Sequence, residues 1–275
     1  MSEPSKHDFK EPRVWRIQHL AQAKLANRKL TMLTSYDALT ARIFESAGVD
    51  TILVGDSYGN VQLGYDSTLP VTIDDMERAT AAVARATSRP LIIADLPFGT
   101  YEASPTQAFE SASRLMRVGA NAVKLEGGTA RTSSVSLLTS SGIPVVGHLG
   151  FTPQSENTLG GPRIQGRGTA RNRLMEDALA LQEAGACMIV LELIPAHVAR
   201  EITNALEIPT IGIGAGPDTS GQVLVWSDMA GMTEWTPSFA KRFAELGAAL
   251  ENAASTYCQE VRDGTFPTPD YYYAE

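Results

Sequence analysis

Short apolar runs recur along the chain at spacings that leave room for a helix between them. The clearest is at residues 51–57, where Thr-Ile-Leu-Val precedes Gly55, Asp56 and Ser57. A run of this kind, bounded by turn or helix signals, is typical of a strand buried in a parallel sheet. The predicted strands are 30–34, 51–55, 91–94, 122–125, 143–147, 187–191, 210–213 and 222–226.

Helical patterns fill the segments between these runs, and some begin with recognisable capping residues. Asp74 and Asp75 open one helix, where acids interact favourably with the positive end of the helix dipole. Ser104 and Pro105 open another as its N-cap and first helical residue. The predicted helices are 14–26, 37–47, 74–86, 104–119, 132–140, 172–184 and 196–206, with the last helices within 239–261.

This alternation predicts βαβ units, and eight of them favour a (β/α)8 TIM barrel over a doubly wound sheet. A barrel of 275 residues is routinely one domain. We therefore expect a single domain over residues 1–275, with an N-terminal helix, C-terminal helices, and flexible ends at 1–12 and 267–275. The longest irregular segment, 149–168, is expected to be functional because loops of that length are uncommon inside compact domains.

Charge and cysteine content narrow the classes of function. The formal net charge of -8 lacks the basic footprint of a general nucleic-acid binder. Cys187 and Cys258 have no CxxC spacing, which predicts neither a zinc site nor a disulfide framework. The polar N-terminus has no signal-peptide pattern, and no apolar run approaches the ~20 residues that cross a bilayer. We expect a cytoplasmic protein that binds neither nucleic acid nor membrane.

Acidic side chains stand at the ends of three predicted strands: Asp56, Asp95 and Glu126. The C-terminal ends of barrel strands surround one site, so these acids are expected to be neighbours. Clustered anions raise each other's pKa unless a cation binds, and an all-oxygen donor set suits Mg²⁺. From the residues alone, the alternative is that each acid caps a helix or pairs with a surface base.

Three further titratable residues belong to the same strand ends. Lys124 shares a strand face with Glu126 and could hold a substrate carboxylate, form a Schiff base, or be neutralised by neighbouring acids. His148, at the end of the fifth predicted strand, is either structural or, given the long loop after it, a substrate contact. Glu192 is free to carry protons if it is not a metal ligand. The glycine-rich run 212–216 is either an anion cradle or a tight turn.

A set of motifs occurs in the order found in the ketopantoate hydroxymethyltransferase family, which the chain resembles from about residue 30 to 266. They are 54–57 (VGDS), 64–70 (GYDSTLP), 94–98 (ADLPF), 123–128 (VKLEGG), 147–154 (GHLGFTPQ), 166–168 (GRG), 211–216 (IGIGAG) and 222–225 (QVLV). The resemblance implies transfer of a hydroxymethyl group from 5,10-methylenetetrahydrofolate to 3-methyl-2-oxobutanoate, through a Mg-stabilised enolate. The products are 2-dehydropantoate (ketopantoate) and tetrahydrofolate, in pantothenate biosynthesis.

The resemblance also implies residue roles and an assembly. It assigns Mg²⁺ binding to Asp56, Asp95 and Glu126, keto-acid contacts to Ser57, Asp95 and Lys124, and proton acceptance to Glu192. We add Asp56 and His148 to the substrate-binding residues. The family's usual assembly implies a homo-oligomer, specifically a homodecamer.

Peripheral departures from the family pattern, at Tyr58, Asn60, Glu156, Pro162 and residues 271–273, leave these chemical positions intact. Because folate is anionic and the chain acidic, we expect a local basic patch from Arg163 or Arg167.

Other classes of protein share parts of this pattern. A Mg²⁺-dependent carbon–carbon lyase of the phosphoenolpyruvate mutase and isocitrate lyase type also places acids at barrel strand ends. Such enzymes typically use a cysteine in a KKCGH-like motif, which this chain lacks. A Schiff-base aldolase would make Lys124 the nucleophile. A non-catalytic scaffold would not need acids, a lysine and a histidine on successive strand ends.

Overall fold

The protein, here a computed structural model that describes residues 9–274, contains eight strands in this range. They are β1 (Leu30–Thr34), β2 (Thr51–Val54), β3 (Leu91–Asp95), β4 (Ala122–Glu126), β5 (Val145–Gly150), β6 (Met188–Glu192), β7 (Thr210–Ile213) and β8 (Gly221–Leu224). Each strand pairs in parallel with the next, and β8 pairs with β1 to close the barrel. The predicted (β/α)8 barrel is confirmed.

Helices precede, separate and follow the strands along the chain. They are α1 (Ile17–Leu25), α2 (Ala38–Ser46), α3 (Tyr58–Val61), α4 (Ile73–Ala86), α5 (Pro105–Arg117), α6 (Thr132–Ser140), α7 (Glu156–Leu159), α8 (Ala170–Glu183), α9 (Ala196–Ala205), α10 (Trp226–Ala230) and α11 (Leu246–Asp263). The predicted capping is present: Ser104 accepts a hydrogen bond from the Gln107 N–H at the start of α5, and Asp75 completes a capping box at the start of α4.

Burial along the strands matches a barrel that is covered on its outer face by helices. Every residue of β2, β3 and β4 is buried, which explains why these strands are near-continuous apolar runs. Their apolar side chains, such as Ile52, Ile93 and Leu125, are fully buried. The same strands also bury charged groups at their C-terminal ends, and these groups form the site described below.

Several predicted boundaries differ from the structure. The eighth strand, for example, ends at Leu224 and not at residue 226, where α10 begins. The fifth strand starts later and runs to Gly150, so His148 lies inside β5, opposite Glu126 on β4. The end of β5 requires glycine at position 150, because its φ is +99° and an added Cβ would lie only 2.1 Å from the Glu192 carbonyl oxygen.

Residues 239–245 are not helical, although we predicted the last helices from residue 239. The Phe243 N–H donates to the Met229 carbonyl instead of to a helical partner. The Gly247 N–H, in the first turn of α11, donates to the Gly231 carbonyl.

The described residues form two compact units, one ending at Val225 with the barrel and one beginning at Trp226 with α10 and α11. The single domain over 1–275 therefore stays a prediction, as do the flexible ends, of which residues 1–8 and 275 lie outside the described range. Between residues 9 and 274, no helix is long and apolar enough to cross a membrane.

Candidate active site

The strand register brings the polar strand ends together. Asp95 on β3 lies opposite Lys124 on β4, and Glu126 on β4 lies opposite His148 on β5. Glu192, the last residue of β6, pairs with Gly150, which lies two residues after His148 on β5. These residues therefore line the C-terminal mouth of the barrel, where barrel enzymes carry their catalytic groups.

The acidic side of the mouth is formed by Asp56 and Asp95. The Asp56 N–H donates to Asp95 Oδ2 at 3.0 Å, and the two residues are only 5% and 2% exposed. Burial raises the pKa of Asp56 to about 7, and repulsion from Asp95 and Glu126 adds to the effect. Burial also raises the pKa of Asp95, although nearby Lys124 opposes the shift. In the absence of another cation, this pair holds a proton more tightly than ordinary carboxyl groups do.

Lys124 and His148 are the cations of the site. Lys124 Nζ lies 3.1 Å from Asp95 Oδ1 and 3.3 Å from His148 Nδ1. Burial alone would lower the pKa of Lys124, but Asp95, Glu126 and Asp56 outweigh it and raise that pKa above its ordinary value. Lys124 therefore stays protonated.

His148 lies between two glutamates. Its Nδ1 is 3.2 Å from Glu126 Oε1, and its Nε2 is 3.1 Å from Glu192 Oε2, although the latter pair is not aligned for a hydrogen bond. Burial and Lys124 lower the pKa of His148, but the two glutamates outweigh them and raise it to about 9. At neutral pH the imidazole is charged, so Nδ1 donates to Glu126 and cannot accept from Lys124.

Two residues that sequence reasoning did not single out connect the acids. The Gln154 side chain donates from Nε2 to Asp56 Oδ2 at 2.8 Å, and its backbone N–H donates to Glu126 Oε2 at 3.0 Å. The Tyr101 hydroxyl donates to Gln154 Oε1 at 2.6 Å. Gln154 is part of the 147–154 motif and could have been found from it, whereas nothing in the sequence marks Tyr101.

Ser57 lies at the edge of the same cluster. Its Oγ is 2.7 Å from the hydroxyl of the buried Tyr36, which follows β1 and was also missed. A Cβ added to Gly55 would lie 3.0 Å from Ser57 Oγ and 3.4 Å from Asp95 Oδ2, so the backbone passes close to both side chains. The structure thus brings together all of the predicted site residues.

The glycine-rich run 212–216 borders Glu192, because Ile213 on β7 pairs with Glu192 on β6. Gly212 and Gly216 pack against Thr219 and Ala196, and added Cβ atoms there would lie 2.8 Å and 2.4 Å from those side chains. This packing supports the tight-turn interpretation of residues 212–216. Arg163 and Arg167 are exposed. Exposure does not test folate binding, and the basic patch for folate stays a prediction.

Comparison of the sequence with known families identifies close relatives. The family described as ketopantoate hydroxymethyltransferase matches residues 14–269. A 3-methyl-2-oxobutanoate hydroxymethyltransferase of Thermobifida fusca strain YX is 56% identical over 260 residues, covering 94% of this chain and 93% of the relative. The enzyme of the same name from Corynebacterium glutamicum is 53% identical over 254 residues, covering 92% and 94%.

Solved structures of more distant proteins share the fold. Phosphonopyruvate hydrolase, solved with oxalate and Mg²⁺, superimposes with a TM-score of 0.62 at 14% identity, covering 92% of both chains. A 2,3-dimethylmalate lyase of the phosphoenolpyruvate mutase and isocitrate lyase superfamily gives a TM-score of 0.59 at 17% identity, covering 94% of this chain and 92% of the lyase. At these identities the likeness concerns the barrel alone.

Proposed function

The chain belongs to the ketopantoate hydroxymethyltransferase family, and from that premise we propose what the mouth of its barrel does. The protein acts as a 3-methyl-2-oxobutanoate hydroxymethyltransferase, which forms ketopantoate for pantothenate biosynthesis. The one-carbon donor is 5,10-methylenetetrahydrofolate. The observation that carries this proposal is the family match over residues 14–269, because that range contains all eight strands and therefore every strand end at the site.

A divalent cation fits the charge of the site. Four carboxylates, two of them with a raised pKa, share the mouth with two cations. With all four carboxylates ionised, the excess of two negative charges equals the charge of one Mg²⁺. No group of three or more His, Cys, Asp and Glu side chains within residues 9–274 could hold a metal ion unaided. Mg²⁺ usually takes one or two carboxylates and fills its shell with water and substrate oxygens. Asp56 and Asp95 suit that role, with Glu126 as the third proposed ligand.

When bound, the cation would supply Lewis-acid stabilisation of the negative charge that develops on the keto oxygen. The chain's own residues do the rest of the work on the keto acid. Lys124, which neighbouring acids keep protonated, attracts the substrate carboxylate. Ser57, held by Tyr36, and His148, held between two glutamates, orient the substrate in the mouth.

Glu192 is the proposed base that removes the proton from C3 of the keto acid. It is the more exposed partner of its contact with His148, at 15% against 4%. Its Oε2 lies 3.1 Å from His148 Nε2, and the ionised carboxylate is the form that accepts a proton. The enolate carbon then attacks the one-carbon unit of methylenetetrahydrofolate. The two C–N bonds of that unit are replaced by a C–C bond to the keto acid and a C–O bond from water, which releases tetrahydrofolate.

The proposal is tested by an assay for ketopantoate with both substrates, before and after treatment with EDTA. We expect product only when both substrates are present, loss of activity with EDTA, and recovery with Mg²⁺. Full activity of a metal-free preparation would contradict the metal assignment. Absence of ketopantoate with both substrates and Mg²⁺ present would contradict the transferase.

We also propose a homo-oligomer, and by family resemblance a homodecamer. The support within the chain is α11, in which none of the 18 residues is buried. Leu246, Leu250, Tyr257 and Val261 are all exposed, and their spacing places them on one face of the helix. Light scattering on a sizing column should give a multiple of the chain mass, and a monomer would contradict the proposal.

A further inference from the structure

We propose that Gln154 is a positioning residue for the metal and keto-acid site, and that Tyr101 sets the orientation of its amide. This inference rests on the proposed function, because it concerns the binding of a divalent cation at Asp56. Both residues are buried, with 7% and 2% exposure, and neither carries a charge. They therefore act on the site through the direction of their hydrogen bonds and not through charge.

The contacts of Gln154 allow only one orientation of its amide. One end of the side chain faces Asp56 Oδ2 at 2.8 Å and the Leu96 carbonyl oxygen at 3.0 Å, and a carbonyl can only accept. That end must be the NH₂ group, which has two protons for two acceptors. The other end must be Oε1, which accepts from Tyr101 at 2.6 Å.

Tyr101 imposes the same direction from the opposite side. The backbone N–H of Glu126 donates to the Tyr101 oxygen at 3.2 Å, so the single hydroxyl proton is free to point at Gln154. A directed chain of hydrogen bonds thus runs from Glu126 through Tyr101 and Gln154 to Asp56. The backbone N–H of Gln154 also holds Glu126 Oε2 at 3.0 Å.

The consequence is that one neutral residue contacts two acids, Asp56 through its side-chain amide and Glu126 through its backbone N–H. The side-chain amide of Gln154 holds Asp56 Oδ2 in place although Asp95 and Glu126 repel the Asp56 carboxylate. Residues that hydrogen-bond to metal ligands typically affect metal affinity or activity about 10- to 100-fold. We therefore expect loss of this chain to weaken cation binding more than it slows turnover at saturating metal.

The test compares Tyr101→Phe, Gln154→Leu and Gln154→Glu with the wild type, using Mn²⁺ alone as the probe and electron paramagnetic resonance to count free ions. We expect Tyr101→Phe and Gln154→Leu to bind Mn²⁺ about 10- to 100-fold more weakly. Gln154→Glu keeps the shape but replaces the donor by a second acceptor, so it should not rescue binding. In the Mg²⁺-dependent assay, the concentration of metal for half-maximal rate should rise more than kcat falls.

Thr100→Val is the matched control, because Thr100 precedes Tyr101 in the same loop and its hydroxyl donates to the Pro97 carbonyl instead. It should bind Mn²⁺ as the wild type does. Tyr101→Phe retains the ring, so it keeps the test valid if Gln154→Leu fails to fold. Wild-type Mn²⁺ affinity in the folded variants would overturn this inference alone. Absence of Mn²⁺ binding in the wild type would overturn it together with the proposed metal-dependent function.

Discussion

The two ends of strand β2 each carry a buried aspartate, and the two are treated differently. Asp50, just before the strand, is 0% exposed and accepts hydrogen bonds from the Arg28 guanidinium at both oxygens and from the N–H and hydroxyl of Thr31. Asp56, just after it, is 5% exposed and accepts from the neutral amide of Gln154. At one end the charge is matched by a cation, and at the other it lies among further acids.

This difference separates an acid that stabilises the fold from one that is available for chemistry. Burying a carboxylate is costly unless it is paired and hydrogen-bonded, and Asp50 has both forms of compensation. The excess of negative charge at the mouth is the arrangement expected where a cation binds. The same reasoning predicts that substitutions at the mouth reduce activity, whereas substitutions at the opposite end reduce stability.

The largest effect is expected for Glu192→Gln, which keeps the side-chain shape and removes its basicity. Positioned acid–base groups contribute about 10²- to 10⁴-fold in rate, so turnover should fall by that factor with little change in keto-acid binding. Exchange of the C3 hydrogen of 3-methyl-2-oxobutanoate with deuterated water, followed by NMR without folate, isolates the proton step. Exchange at the wild-type rate would mean that another group is the base.

The second prediction exchanges each aspartate of β2 for asparagine. Asp50→Asn should lower the free energy of unfolding by up to about 3 kcal/mol, because Arg28 loses its contacts with a fully buried carboxylate and keeps only the half-exposed Glu11 as a charged partner. Asp56→Asn should leave metal-free stability unchanged or raise it, because it removes one of the repelling charges, while Mn²⁺ binding is lost.

Urea denaturation and Mn²⁺ titration of both variants check this pair of outcomes. A larger loss of stability in Asp56→Asn than in Asp50→Asn would reverse the comparison between the two ends of the strand.

The third prediction concerns pH. The folded pKa of Asp56, about 7, lies above its ordinary value of 3.8, so the metal-free folded state binds more protons than the unfolded state between these values. The stability contributed by this protonation is fully present below about pH 4 and is lost as the pH rises through about 7.

In EDTA, the wild type should lose about 1 kcal/mol or more over this range relative to Asp56→Asn, since each tenfold change in proton affinity corresponds to about 1.4 kcal/mol. Urea denaturation at several pH values measures the difference. Parallel profiles for the two proteins would show that the pKa of Asp56 is not raised in the folded state.

Much of this site was predictable because each strand end is marked locally. An apolar run followed by Asp56, or ending in Asp95 or Glu126, identifies both the strand and the residue at its mouth. Tyr101 was not predictable, because its hydroxyl reaches Gln154 across 53 residues of sequence and depends on the barrel being closed. The difference between Asp50 and Asp56 also depends on tertiary structure, since the partner Arg28 precedes Asp50 by 22 residues.

The smallest effect, which is none, is expected for covalent trapping at Lys124. A comparison of Lys24 with Lys124 shows why. Lys24 on α1 donates to three carbonyls at 2.7–2.8 Å, and burial lowers its pKa to about 8 despite the opposing effect of Glu207. Lys124 lies among acids that raise its pKa above the ordinary value, so its amine has no free lone pair at neutral pH.

Schiff-base formation requires the neutral amine, and Lys124 is held in the other form. Treatment with 3-methyl-2-oxobutanoate and borohydride should therefore leave Lys124 unmodified in a peptide map, although we propose that the substrate carboxylate binds beside it. Formaldehyde with the same reductant, which methylates accessible amines such as exposed Lys241, shows that the reagent is active. A keto-acid adduct on Lys124 would make the lysine a nucleophile and move the protein to the Schiff-base class. Its absence, with Lys124→Met losing keto-acid affinity, would establish that the charge of this residue is what the mouth of the barrel uses.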